Sequence, residues 1–156
     1  MIIYNMRIPT VTPTATATPN LANIFPGTVK SFLLLELDFE GQGTSSGAAE
    51  FGIYRTTTAA ATPGTTLTPV PIEQLATLPA FTGAAAVSYT TVPGLGTLVH
   101  SFGLNANGQR YFWRANPNLN NAIVVSGNTA LTAGLSLILV AGSLNPISGR
   151  MQLAEL

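Results

Sequence analysis

The sequence predicts an all-β chain, a jelly-roll-like β-sandwich of about eight antiparallel strands behind an extended N-terminal arm. Three observations carry this expectation. From Val29 onward, short runs of β-branched, aromatic and aliphatic residues are separated by clusters of Gly, Pro, Asn and Ser, the habit of a sandwich or barrel. Helix signals are nearly absent, confined to PIEQLATLP, where Pro71 and Pro79 bracket room for one short turn. Two packed sheets bury one face of each strand and limit exposed edges, which favours a jelly-roll layout, with a plain immunoglobulin-like sandwich as the near alternative.

Residues 1–28 read as the arm. Tyr4, Met6 and Ile8 alternate with polar or small residues, and the tract PTVTPTATATPN that follows favours extended or polyproline geometry. Ordering such a segment costs roughly 1–2 kcal/mol per residue, so a partner surface is expected to offset it. The side chains offered to that partner are Ile2, Ile3, Tyr4, Ile8, Val11, Leu21, Ile24 and Phe25. The sandwich domain is then expected to span residues 29–156.

The first strand of that domain is VKSFLLLELDFEG. Strict alternation puts Val29, Ser31, Leu33, Leu35, Leu37 and Phe39 on one face, and Lys30, Phe32, Leu34, Glu36, Asp38 and Glu40 on the other. The second face is thus apolar early and acidic late. Further strands are expected over residues 49–56, 85–92, 96–102, 109–115, 122–126, 134–140 and 149–155, with GQGTSSG and LNANG as the clearest turns. No internal repeat of fixed period is visible.

Only six Lys plus Arg and six Asp plus Glu serve 156 residues, whereas a soluble monomer usually devotes roughly a quarter to a third of its surface to charge. Such a surface is suited to being covered by neighbours. Zero formal net charge argues against nucleic acid, which needs clustered cations to displace counterions, and against an anionic membrane. The chain has no Cys, so disulfides and thiolate metal sites are excluded. The start MIIYNMRIPT lacks a basic leader followed by an apolar run, and the longest greasy stretch is too short to span a bilayer. The expectation is a soluble protein made in a cytosol.

Candidate chemistry is thin. His100 is the sole histidine, so a multi-His metal cluster is impossible and any triad needs this one side chain. Glu36, Asp38 and Glu40 share a strand face and raise the question of a hard cation such as calcium. Spacing of roughly 7 Å between alternate residues is wide for one ion without loop ligands. A solvated or subunit-facing charge row is the better reading, with Arg55, Arg110, Arg114 or Arg150 as partners. The glycines of PGLG lack the Lys and βαβ context of a phosphate loop and read as a turn. No catalytic, cofactor or metal residue is therefore assigned.

The most specific local cluster is QRYFWRANPN. Alternation places Arg110, Phe112 and Arg114 on one face of a strand and Tyr111 and Trp113 on the other. Such residues stack bases or sugars, and they also dominate protein interfaces. Trp113 as core with Arg114 at its edge, a protein interface, and glycan or nucleic acid contact all stay open at this point.

The phrases GIYRTTTAAATPGTTLTPVP, FWRANP, AIVVSGNTALTAGLSLILVAG and GRMQLAEL resemble small β-rich capsid cement or decoration proteins of tailed bacteriophages, over about residues 36–156. The resemblance implies a jelly-roll-like body, often trimeric, on the outer surface of the virion head, where it locks junctions between capsomers. The implied partners are further copies of the chain and the major capsid protein, and the arm is expected to reach a neighbour. Rivals from other classes are a receptor- or carbohydrate-binding domain of a head or tail fibre using Tyr111, Trp113 and Arg114, a minor jelly-roll capsid subunit, and a jelly-roll hydrolase. The last should show facing carboxylates or a His-rich set, which this sequence lacks.

Overall fold

In the computed structural model, described over residues 1–13, 20–58, 64–72, 78–88, 93–127 and 132–156, two antiparallel sheets pack face to face. No helix occurs among the described residues. The all-β sandwich expected from the sequence is what the chain forms. The candidate turn at PIEQLATLP lies largely outside the described residues.

Antiparallel pairings join early strands to late ones. Strand β1 (Ile2–Val11) pairs with β12 (Ile147–Glu155), and β2 (Asn20–Phe25) pairs with β11 (Leu135–Gly142). Strand β3 (Phe32–Gln42) pairs along one edge with β9 (Asn107–Arg114) and then β10 (Ile123–Val125), while β4 (Ala48–Thr56) pairs with β8 (Leu95–Asn105). The early strands thus run as a ribbon against the late ones, and successive rungs fall alternately into the two sheets. One sheet has the order β10-β3-β12-β1-β6, with β9 also on β3 and β6 being Val70–Pro71. The other has the order β5-β7-β2-β11-β4-β8, with β5 at Thr65–Leu67 and β7 at Ala84–Val87.

Eight of these strands overlap those the sequence places, although of the strand expected over 85–92 only 85–87 are paired and residues 89–92 lie outside the described residues. The arm does not fall where the sequence places it. Residues 2–11 lie in the sheet between β12 and β6, and residues 20–25 lie between β11 and β7. Tyr4, Ile8, Leu21, Ile24 and Phe25 are buried within this chain, and Ile2 and Ile3 are half-buried on β1. The expectation of a separate arm ending at residue 28, with these side chains held for a partner, is corrected: β12 supplies the backbone partners and the sandwich core supplies the apolar contacts. Alternation of Tyr4, Met6 and Ile8 is the ordinary signature of a half-buried strand.

Strand β3 also departs from strict alternation. Gln152 lies opposite Glu36 but Leu153 lies opposite Leu34, so Leu35 is an extra residue, a β-bulge. The bulge reverses the parity of the side chains. Phe32 and Leu34 before it, and Leu37 and Phe39 after it, all enter the core, leaving Glu36, Asp38 and Glu40 together on the outer face. The apolar-then-acidic face of the sequence is in this way divided between two sides of the sheet.

One end of the sandwich is closed by Glu155, buried beside Tyr4 and Lys30. Its carboxylate accepts hydrogen bonds from the Thr82 amide at 2.9 Å, from the Thr82 hydroxyl and from Lys30 Nζ at 3.1 Å. Burial pushes this carboxyl up, but the Thr82 and Lys30 contacts outweigh it and hold Glu155 below its ordinary range. The Tyr4 hydroxyl donates to the Pro79 carbonyl at 3.0 Å, and burial together with the nearby Glu155 charge raises its pKa.

If β1 is part of the core, truncating one of its inward side chains must cost what a core truncation costs. Met6→Ala is expected to lose about 2–5 kcal/mol in a urea titration; a free arm would show no change.

Candidate functional site

The chemistry of the molecule gathers on the outer face of the β3 sheet. Antiparallel register sets Arg114 opposite Glu36 and Arg110 opposite Glu40 from β9, and Arg150 opposite Asp38 from β12. The two strands flanking β3 thereby bring arginines over its carboxylates from both sides.

Arg110 grips Asp38 in a two-point contact, Nε and Nη2 each 2.6 Å from a carboxylate oxygen. Arg150 bridges the two acids, with Nη2 2.8 Å from Glu36 Oε1 and Nε 3.2 Å from Asp38 Oδ2. Arg114 closes the far end on Glu36 Oε2, Nη2 at 2.8 Å and Nε at 3.0 Å. The result is a chain of five charges, Arg110–Asp38–Arg150–Glu36–Arg114. Hydrogen bonds from Arg110 first, with support from Arg150, hold the Asp38 carboxyl below its usual range against the effect of burial. The same contact raises Arg110.

The vertical order of these charges matters more than their sum. The Glu36 side chain is 1% exposed and that of Asp38 12%, whereas Arg110 and Arg114 are 63% and 64% exposed. The acids are the floor and the guanidinium groups are the top. Phe112 stands between Arg110 and Arg114 on β9 and is 52% exposed. Beside the ladder lies a shallow polar depression of about 620 Å³, whose lining includes Asn5, Arg7, Glu40, Arg110, Ser148 and Arg150. Arg7 on β1 lies opposite Arg150. Among the described residues neither the Arg7 nor the Glu40 side chain has a hydrogen-bonding or ion-pair partner.

The cluster QRYFWRANPN splits as alternation requires. Arg110, Phe112 and Arg114 face outward, while Tyr111 and Trp113 pack against the core from β9. There they join a ladder of rings closing the side between β8 and β9: Phe102 stacks on Phe39, on Phe51 and on Tyr111, the last at 4.4 Å between centroids. His100 sits at its outer end, 5.1 Å from Trp113, with Nε2 2.5 Å from the Tyr111 hydroxyl. Burial lowers the His100 pKa and raises that of Tyr111. Nearby, Arg55 Nη1 donates to the Val124 carbonyl at 2.9 Å, a second link between the sheets on this side.

Of the arginines proposed as partners for the acidic row, Arg110, Arg114 and Arg150 engage it within a single chain and Arg55 does not. Glu36 and Asp38 direct their oxygens to guanidinium groups, and no cluster able to hold a metal ion is present among the described residues. Sequence reasoning passed over Arg7, whose place opposite Arg150 depends on the β1–β12 register. No protein-family model matches the chain, and no curated protein or solved structure matches it either.

Two outcomes follow from this arrangement. Glu36→Ala, which leaves Arg114 and Arg150 without their buried acceptor, should cost about 1–3 kcal/mol by urea denaturation, whereas Arg7→Ala should stay within about 0.5 kcal/mol. Because folding favours neutral His100, stability should be level above pH of about 6.5, the unfolded value, and decline as pH falls from there through the lowered folded value. Thermal melts from pH 8 to 5 should show that decline, and His100→Phe should remove it.

Proposed function

We propose that this chain is a structural virion protein, a decoration or cement protein that binds the outer surface of a bacteriophage head and stabilises capsomer junctions, with no enzymatic role. Its partners are further copies of itself, three if it follows the proteins it resembles, and the major capsid protein. It is made in the host cytoplasm, and neither nucleic acid nor membrane is needed for its task.

The observation that carries this reading is the ordered face of arginines and Phe112 on a body otherwise poor in charge. Arginine and aromatic side chains are the usual anchors of protein interfaces. Here the carboxylate floor fixes the guanidinium groups in advance, so less side-chain freedom is lost on contact. Thr, Ala and Val, abundant elsewhere on the chain, also lose little on being covered. Repetition of a modest contact over a shell gives strong retention through multivalency. The rolled-ribbon strand order supports reading the sandwich as a jelly roll, the fold the resemblance implies.

The fibre alternative needs Tyr111, Trp113 and Arg114 on one sugar-stacking platform. β9 turns the two rings inward and Arg114 outward, which disfavours it. Purified protein should co-sediment with expanded heads lacking it and remain with the shell through washing. Absence of binding, or a copy number of only a few per particle, rejects the cement role.

A further inference from the structure

We propose that the arginine-topped face of the β3 sheet docks onto a carboxylate-rich surface of its protein partner, with Arg7, Arg110 and Arg150 taking acidic side chains and Phe112 resting on apolar atoms beside them. This deepens the reading above and rests on it for the identity of the partner as the shell.

The charge this face presents differs from the formal charge of the chain. The chain sums to zero, yet Glu36, Asp38 and Glu155 are largely covered, whereas Arg7, Arg110 and Arg114 are exposed. A partner approaching this face meets guanidinium groups first. A guanidinium carries five N–H donors. Arg110 and Arg150 each direct Nε and Nη2 at the floor carboxylates, which leaves further donors free above it. Arg7 uses none of its donors on a described residue.

Geometry then narrows the ligand. Arg7 and Arg150 are cross-strand neighbours of like charge; Arg150 is already met by Glu36 and Asp38, which leaves the Arg7 side chain as the member of the pair with no carboxylate of its own among the described residues. Both line the same depression as Arg110. Guanidinium groups match carboxylate oxygens in a planar, two-point geometry, and the Arg110–Asp38 contact already displays it on this surface. A protein surface fits better than a phosphate backbone. Phe112, 52% exposed beside the arginines, offers an apolar contact that a duplex backbone does not use, and a chain of zero net charge lacks the clustered excess of cations that displaces counterions from a duplex. Acidic side chains set in an apolar surface meet both the guanidinium groups and the ring.

Arg7 gives a clean test because it supports nothing inside the fold. Wild-type protein, Arg7→Ala and Arg7→Glu would be compared for co-sedimentation with expanded heads at about 50 and 300 mM salt, and for binding to poly-L-glutamate and to duplex DNA by titration calorimetry. Loss of one exposed ion pair corresponds to roughly a two- to fivefold weakening. The account expects that loss for Arg7→Ala on heads and on polyglutamate, a larger one for Arg7→Glu, weaker binding at high salt, and little binding to DNA. Unchanged head binding by Arg7→Glu overturns the inference while leaving the cement role standing. Polyglutamate binding that depends on Arg7 without any head binding upholds the face and removes the shell as its partner. DNA binding tighter than polyglutamate binding overturns the choice of a protein carboxylate.

Discussion

A single extra residue in β3 decides which side chains of this molecule are core and which are surface. Leu35 bulges out of the pairing with β12, and the parity of the strand reverses there. Without that reversal, Phe32 and Leu34 face the same way as Glu36 and Asp38. With it, four apolar side chains enter the sandwich and the acids line its outside. β3 is also the most heavily partnered strand, with β12 on one edge and β9 and β10 on the other. Register on both edges is therefore fixed by the same hydrophobic pattern, since a one-residue slip drives acids into the core.

That register is what assembles the charged face. Carboxylates on a central strand, flanked by arginines on both neighbours, form a chain in which each buried oxygen is met by a donor. Burying Glu36 and Asp38 is unfavourable unless they are paired and hydrogen-bonded. The arginines meet that need while keeping their outer donors in solvent. The fold consequently uses one side of each guanidinium and leaves the other to solvent. The exposed Phe112 sits within this set because β9 alternates.

Much of this was legible in the sequence. Alternation, turn residues and the lack of helix signals give the all-β class and eight of the strands, and they divide Arg110, Phe112 and Arg114 from Tyr111 and Trp113 correctly. The first 28 residues misled because Thr and Pro around residues 9–19 read as linker chemistry, whereas strands β1 and β2 on either side are held by β12 and β11 from the other end of the chain. Local composition does not report a pairing partner more than a hundred residues away. The bulge at Leu35 is hidden for a similar reason, as an uninterrupted run of Phe and Leu fits either parity until β12 selects one. Pairing of the acids with Arg150 and the isolation of Arg7 likewise depend on tertiary register.

The reconstruction of a decorated head tests the account most directly. It should place the outer face of the β3 sheet against the shell, with Arg7, Arg110 and Phe112 at the contact and acidic side chains of the shell protein opposite them. A particle in which that face points to solvent, or a head from which this chain is absent, contradicts it.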